Sequence, residues 1–136
     1  MENMKKILEV KNLKKYYGSH GNITKAVDGI SFDVLKGEFV AIMGASGSGK
    51  TTLLNTISTI DTVTSGNIYL NGVDITTLKE EELADFRREN LGFIFQDFNL
   101  LDTLTIEENI SLALIINHED VLKVEQKVDD IAKKLG

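Results

Sequence analysis

Alternating and apolar segments in the first third of the chain predict β-strands. Ile7–Leu13 places Leu8 and Val10 on one face of an extended strand. The polar, glycine-containing stretch Lys14–Asn22 predicts a loop. The alternation ISFDV over Ile30–Val34 then predicts a second strand. The chain is therefore expected to begin with two strands joined by a polar connection.

A continuous apolar run and a helical repeat follow. Leu35–Glu38 predicts a turn, and the apolar run Phe39–Met43 predicts a strand that is buried on both faces. Lys50–Ile60 carries Leu53 and Ile57 at helical spacing, which predicts a helix. The pattern is thus strand, short glycine-containing connection, helix.

Turn and capping signals organise the middle of the chain. Asn67–Leu70 predicts a strand, and Asn71–Gly72 behind it predicts a tight turn. Thr77–Glu80 fits a capping box that opens a charged helix through about Asn90. The buried face of this helix is predicted to consist of Leu83 and Phe86.

The last third combines one predicted strand with two predicted helices. Leu91–Gln96 predicts a strand, and Thr105–Glu108 fits a second capping box before a helix through about Ile116. A final amphipathic helix is predicted from the spacing of Val121, Val124, Val128, Ile131 and Leu135. The alternation of strands and helices along the chain favours an α/β fold.

Composition excludes several classes of protein. The 136 residues suffice for one domain, and the formal net charge of −6 argues against general affinity for nucleic acid. The chain has no cysteine, which excludes disulfides and thiolate metal sites, and its two distant histidines make a poor zinc site. No apolar run approaches the roughly 20 residues that cross a bilayer, and the N-terminal MENMKKILEV predicts no signal peptide.

The segment IMGASGSGKTT carries the clearest chemistry. It matches G-x-x-x-x-G-K-[ST], with Gly44 at its start and Gly49, Lys50 and Thr51 at its end. Glycines let the chain curl so that successive N–H groups converge on phosphate, and the following helix directs its N-terminus at the same anion. Lys50 is expected to reach the β- and γ-phosphates, and the Thr51 hydroxyl to bind Mg²⁺. The alternative is a glycine-rich turn with an accidental lysine, which the flanking strand and helix disfavour.

Further segments resemble the ATP-binding domain of ABC transporters. They are LEVKNLKKYYG, AVDGISFDVLKGEFVAIMGASGSGKTTLLN, TSGNIYLNGVDI and LGFIFQDFNLLDTLTIEENI. The resemblance is greatest to the lipoprotein-release, macrolide-export and antimicrobial-peptide-export branch, and NLLDTLTIEENI is most similar to bacitracin-type exporters. It implies a P-loop NTPase fold of the α/β class with an antiparallel β subdomain. It also implies that residues 1–136 are the N-terminal portion of one such domain, incomplete without a C-terminal half.

The same resemblance assigns individual residues. Tyr17 matches the aromatic residue that stacks on adenine, with Tyr16 as the alternative if the register differs by one. Gln96 matches the glutamine that approaches Mg²⁺ and the attacking water, so it is the expected catalytic residue and a second expected metal contact. Phe98 and its apolar neighbours are expected either to receive the membrane partner or to form ordinary core. The expected nucleotide contacts in the loop are Gly44, Ser46, Gly47, Ser48, Gly49, Lys50, Thr51 and Thr52.

Several parts of the family's machinery do not occur in the sequence. The signature Leu-Ser-Gly-Gly-Gln is absent, and so is an apolar run followed by Asp-Glu. Leu112–Ile116 is the nearest approach to such a run, but the capping box before it predicts a helix. The chain alone is therefore expected to bind nucleotide weakly at most and not to hydrolyse it. Without neighbouring strands, Phe39–Met43 would present unpaired backbone groups, and we expect self-association, strand exchange or a rearranged loop to follow.

The resemblance implies an ATPase subunit that powers export of peptides, lipoproteins or antibiotics. Its implied cofactors are ATP and Mg²⁺. Its implied partners are a membrane-spanning permease and a second ATP-binding domain in a homodimer, with no nucleic acid, at the cytoplasmic face of the membrane. The alternatives are another P-loop enzyme, such as a kinase, or a non-catalytic nucleotide-binding fragment. A GTPase is disfavoured because no Asn-Lys-x-Asp string occurs.

Overall fold

The structure, a computed structural model, describes residues 5–136. The chain divides into two compact units, one ending at Arg87 and one spanning Arg88–Gly136. The N-terminal MENM, part of the segment for which no signal peptide was predicted, lies outside the described residues.

A four-stranded antiparallel sheet organises the first unit. Its strands are β1 (Lys6–Tyr17), β2 (Thr24–Leu35), β3 (Ser65–Leu70) and β4 (Val73–Asp74), in the order β2-β1-β3-β4. The strands predicted near residues 7–13, 30–34 and 67–70 are confirmed, although β1 and β2 are longer than predicted.

The loop predicted over Lys14–Asn22 is wrong for its first four residues. Lys14 to Tyr17 continue β1 and pair with β2, where Tyr17 lies opposite Thr24. Polar side chains on these residues suggested a loop, but their backbone groups are bonded on both sides of β1. Pairing with β2 supplies one side, and on the other side the Thr64 N–H donates to the Lys14 carbonyl and the Tyr16 N–H donates to Thr64 Oγ1, each at 2.9 Å. This extension carries Lys15 and Tyr17 to the end of the sheet.

The core of the first unit lies on one face of the sheet. Val10 and Leu13 of β1, Ile68 of β3 and Val27 of β2 are almost completely buried. Leu53 is also buried and belongs to α1 (Lys50–Ile57), which contacts β2. The predicted tight turn between β3 and β4 is confirmed by positive φ angles at its two central residues, 49° and 82°.

One helix end differs from expectation, and one short helix was not predicted. The first helix ends at Ile57 rather than at Ile60, because Thr59 adopts a left-handed φ of 62° that cannot continue it. A 3₁₀ turn at Ile75–Thr77 precedes α2 (Glu80–Asn90).

The bounds predicted for α2 are close, but the predicted capping box is wrong. The Thr77 hydroxyl donates to the Asp74 carbonyl instead, and the Lys79 N–H donates to the Glu82 carboxylate. Leu83 and Phe86 are half-buried, so the stripe predicted for this helix is only partly covered.

The second unit contains a helical pair. The helices are α3 (Ile106–Ile116) and α4 (Val121–Leu135), which pack on each other through residues that include the buried Val124 and Val128. The capping box predicted before α3 is confirmed, because Glu108 N–H donates to Thr105 Oγ1 at 3.2 Å and Thr105 N–H donates to Glu108 Oε2 at 2.7 Å. These bonds lower the pKa of the Glu108 carboxyl.

Two predicted strands do not form. Phe39–Met43 and Leu91–Gln96 have neither strand nor helix geometry. Phe39 is 99% exposed, so Phe39–Met43 is not the buried strand that its sequence predicts, and Ile94 in the second segment is 96% exposed. A buried strand requires hydrogen-bonded neighbours on its edges, and within residues 5–136 no strand pairs with either segment.

Candidate functional site

The glycine-rich segment forms a tight loop between the turn after β2 and the start of α1. Gly47 and Gly49 have φ angles of 77° and 95°, and the Ser48 N–H donates to the Ala45 carbonyl at 3.1 Å. Ser46 and Gly47 form the exposed turn of this loop. The chain is therefore curled, as a polyphosphate cradle requires.

A side chain at either of two loop glycines would meet a neighbouring atom. A Cβ on Gly44 would lie 2.6 Å from Ser48 Oγ, inside the curl of the loop. A Cβ on Gly49 would lie 2.1 Å from the Ala26 carbonyl oxygen of β2. A side chain at Gly44 would therefore displace the Ser48 hydroxyl, whereas the absence of a side chain at Gly49 lets the start of α1 approach the sheet.

Lys50 lies across the loop. Its Nζ donates to the carbonyl oxygens of Gly44 and Ala45, each at 2.7 Å, and lies 3.4 Å from Ser48 Oγ. The positive charge of Lys50 therefore lies at the centre of the curled loop. An anionic oxygen there would interact with this cation more strongly than a neutral carbonyl does.

The N-terminus of α1 faces the same loop. Gly49 is the N-cap residue, and no side chain caps the helix. The Leu53 N–H donates to the Gly49 carbonyl as the first helical bond, so the N–H groups of Lys50, Thr51 and Thr52 have no acceptor within the helix. Thr51 is exposed and Thr52 is half-buried. The arrangement offers hydrogen-bond donors, a helix dipole and a cation to one anion.

Tyr17 reaches this region from the end of β1. Its hydroxyl donates to Asp61 Oδ2 at 2.6 Å, and Lys15 Nζ lies 4.9 Å from its ring centroid. The bond to Asp61 raises the pKa of the Tyr17 phenol, and an interaction with the Thr52 side chain opposes this rise. The structure therefore brings Tyr17 together with the first turn of α1.

Tyr16 has separate partners. Its hydroxyl donates to Asp28 of β2, and Lys25 Nζ lies 5.3 Å from its ring centroid. The two tyrosine hydroxyls therefore bind different carboxylates, Asp28 of β2 for Tyr16 and Asp61 after α1 for Tyr17. Of the two, Tyr17 is the one that interacts with Thr52.

Sequence reasoning missed Asp61 and Lys15, which hold Tyr17. The proximity of Lys15 to Tyr17 could have been predicted, because residues two apart lie on the same face of a strand. Asp61 lies in the loop after α1, 44 positions from Tyr17, and its contact depends on tertiary structure.

Gln96 lies in the second unit. It is exposed and forms a bend in the segment between α2 and α3. Phe98 and Leu100 nearby are 94% and 64% exposed. This exposure contradicts the alternative that they form ordinary core.

Residues 5–136 provide neither a cluster of metal-ligating side chains nor a helix suited to cross a bilayer. No group of three or more His, Cys, Asp or Glu side chains in this range is arranged to hold a metal ion. None of the helices described has the length and apolar character that a bilayer crossing requires.

Comparison with known proteins identifies the family. The sequence pattern of the ABC transporter family matches residues 27–136, which include the glycine-rich loop and everything after it. The chain belongs to the ABC transporter family. The resemblance indicated by the sequence motifs is therefore confirmed.

Two curated members of the ABC transporter family are similar to almost the whole chain. The bacitracin export ATP-binding protein BceA of Halalkalibacterium halodurans is 52% identical over 130 residues, which cover 96% of this chain and 51% of BceA. The macrolide export ATP-binding/permease protein MacB of Mannheimia succiniciproducens is 41% identical over 130 residues, which cover 96% of this chain and 20% of MacB. The chain thus spans about half the length of BceA.

A solved ABC structure confirms the fold class. The dimeric post-hydrolysis state of the ATP-binding cassette MJ0796, bound to ADP and Pi, superposes with a TM-score of 0.87 at 36% identity. The match covers 93% of this chain and 56% of that chain. The antiparallel sheet and the helices are accordingly part of an α/β P-loop NTPase fold.

Proposed function

We propose that the chain is the N-terminal portion of the ATP-binding domain of an ABC export ATPase. The observation that carries this proposal is the curled loop of Gly44–Thr51, with the Lys50 ammonium at its centre and the N-terminus of α1 directed at it. A curled backbone, a cation and a helix N-terminus together form a site that binds the phosphates of a nucleotide. The similarity to BceA and to the ADP-bound cassette MJ0796 supports ATP as that nucleotide.

Each residue of the site has a proposed role. Lys50 leaves the carbonyls of Gly44 and Ala45 and pairs with the β- and γ-phosphates, because those oxygens carry formal charge. The Thr51 hydroxyl is a ligand for Mg²⁺, which supplies positive charge against the phosphates. Tyr17 stacks on adenine with its ring. The remaining phosphate contacts are proposed for Gly44, Ser46, Gly47, Ser48, Gly49 and Thr52.

We propose Gln96 as the catalytic residue of the intact parent ATPase, in which it would orient the attacking water beside Mg²⁺. A side-chain amide suits this role because it offers an acceptor and donors without changing charge. The chain contains no Leu-Ser-Gly-Gly-Gln and no apolar run followed by Asp-Glu. Phosphoryl transfer depends on positioned charges around the transition state, so the residues present support ground-state binding and not turnover.

The proposal extends to export and to partners. The names of BceA and MacB point to bacitracin and macrolide export, and MacB joins its ATP-binding portion to a permease. We therefore propose peptides or antibiotics as cargo, a membrane permease as partner, and the cytoplasmic face of the membrane as location. The dimeric state of MJ0796 supports a second ATP-binding domain as the other partner.

Calorimetry with Mg-ATP tests nucleotide binding by this chain. We expect weak, saturable binding that Lys50→Ala abolishes, because the substitution removes the central cation. Lys36→Ala, which removes the same charge from an exposed turn before the loop, is the matched control and should leave binding unchanged. Titration with Mg-GTP tests purine preference.

A phosphate-release assay on the same proteins tests turnover. Release by the wild-type chain should equal release by Lys50→Ala. Equal heats for wild type and Lys50→Ala would contradict the binding proposal, and release above the Lys50→Ala level would contradict the absence of turnover.

A further inference from the structure

Lys15, Tyr17 and Asp61 form a connected cluster, here called the Tyr17 anchor. Lys15 Nζ donates to Asp61 Oδ1 at 2.8 Å, and the Tyr17 hydroxyl donates to Asp61 Oδ2 at 2.6 Å. The Thr62 N–H also donates to Asp61 Oδ1, at 2.7 Å. Both carboxylate oxygens are therefore engaged, which fixes the orientation of the Asp61 side chain.

The ion pair of the anchor involves a buried lysine that requires a carboxylate partner. Lys15 is only 8% exposed, although lysine is among the residues least often buried. A buried ammonium group is stable only when a carboxylate pairs with it closely. Asp61 meets this requirement from the loop after α1 and thereby ties that loop to β1.

The anchor constrains the ring of Tyr17 at two points. The hydroxyl is held by Asp61, and the Lys15 ammonium lies over one ring face at 4.9 Å. A planar ligand can therefore stack only on the opposite face. Tyr17 as a residue is 42% exposed, which leaves surface for such contact.

We propose that Lys15 and Asp61 are positioning residues for nucleobase binding, which act by holding the Tyr17 ring with one face covered and the other open. This inference rests on the proposed function, in which Tyr17 stacks on the base. A ring held in place before binding loses less conformational freedom when the base arrives. Loss of the anchor therefore weakens binding of the base and leaves binding of the phosphates unchanged.

The chain contains its own control for this inference. Tyr16 donates its hydroxyl to Asp28 and has Lys25 over its ring, so it repeats the chemistry of the anchor with different residues. Tyr16→Phe removes a tyrosine-carboxylate bond from the same strand without touching the anchor. Tyr17→Phe is the corresponding change within the anchor, and it keeps the ring.

The test compares Mg-ATP with Mg-tripolyphosphate, which has phosphates but no base. Dissociation constants for both ligands are measured by NMR titration of the whole chain. Tyr17→Phe and Asp61→Asn should each weaken Mg-ATP binding roughly threefold, about the cost of ordering one side chain on binding, with no change for tripolyphosphate. Tyr17→Ala should weaken Mg-ATP binding roughly fivefold or more, because stacking is lost. Tyr16→Phe should change neither constant.

A second variant keeps the test informative if Asp61→Asn fails to fold. Asp61→Asn leaves the buried Lys15 without its carboxylate, so the double variant Lys15→Met with Asp61→Asn removes both charges together. It should show the same selective loss of Mg-ATP affinity. A purely structural role would weaken both ligands in parallel and leave their ratio unchanged.

The outcomes separate this inference from the proposed function. If the wild-type chain binds neither ligand, the proposed function fails and the inference fails with it. If it binds both and the ratio is unchanged in Tyr17→Phe and in the double variant, only the inference is overturned. A change in Tyr16→Phe as large as that in Tyr17→Phe would also overturn it, because the alternative register would then hold.

Discussion

Asp61 connects residues far apart in the sequence through a single carboxylate. Burial raises its pKa, but the bonds from Lys15, Tyr17 and the Thr62 N–H lower it, and the lowering prevails. A carboxyl group whose pKa is lower in the folded than in the unfolded chain stabilises the fold above its unfolded pKa. That stabilisation is lost as the pH falls through the folded pKa.

Acid titration of stability tests this role of Asp61. At pH 7, Asp61→Asn should lower the free energy of unfolding by about 1–3 kcal/mol, because a buried donor loses its charged partner. As the pH falls below the ordinary aspartate value of 3.8, the wild-type and variant free energies should converge. Urea unfolding at several pH values measures the difference. A free-energy difference between wild type and Asp61→Asn that stays constant over this pH range would contradict the assignment.

At the scale of secondary-structure elements, a local sequence pattern predicts an element correctly when the element's own residues satisfy its backbone groups. The helix α3 satisfies its first N–H groups with Thr105 and Glu108, both within its own sequence. Phe39–Met43 differs, because a strand needs backbone partners from elsewhere. Its apolar sequence predicts a buried strand, yet Phe39 and Met43 are 99% and 90% exposed. The segment therefore presents apolar side chains in an unpaired stretch of backbone.

This exposure predicts self-association of the chain. Sedimentation velocity should show a concentration-dependent increase in mass, because exposed apolar segments with unpaired backbone groups bind further chains. Phe39→Lys should shift the chain towards monomer. Leu135→Lys makes the same change at an exposed site on α4 and should have little effect. A wild-type chain that stays monomeric at every concentration would contradict the prediction.

At the scale of the molecule, the sequence predicted the elements and the loop better than their tertiary contacts. The glycine-lysine pattern located the curl of Gly44–Thr51, because its geometry depends on residues within the pattern. The Tyr17 anchor depends on Asp61 meeting a strand end 44 residues away, which no local pattern encodes. The same limit explains why the buried strand predicted from the apolar run Phe39–Met43 did not form without partners.

The central claim is that the loop from Gly44 to Thr52 binds the phosphates of ATP. A titration of the nitrogen-15-labelled chain with Mg-ATP, followed through its backbone amide resonances, tests it most directly. We predict saturable shifts centred on residues 44–52, with the same set shifted by Mg-tripolyphosphate and none shifted in Lys50→Ala. Amide shifts that avoid this loop, or that persist unchanged in Lys50→Ala, would contradict the account.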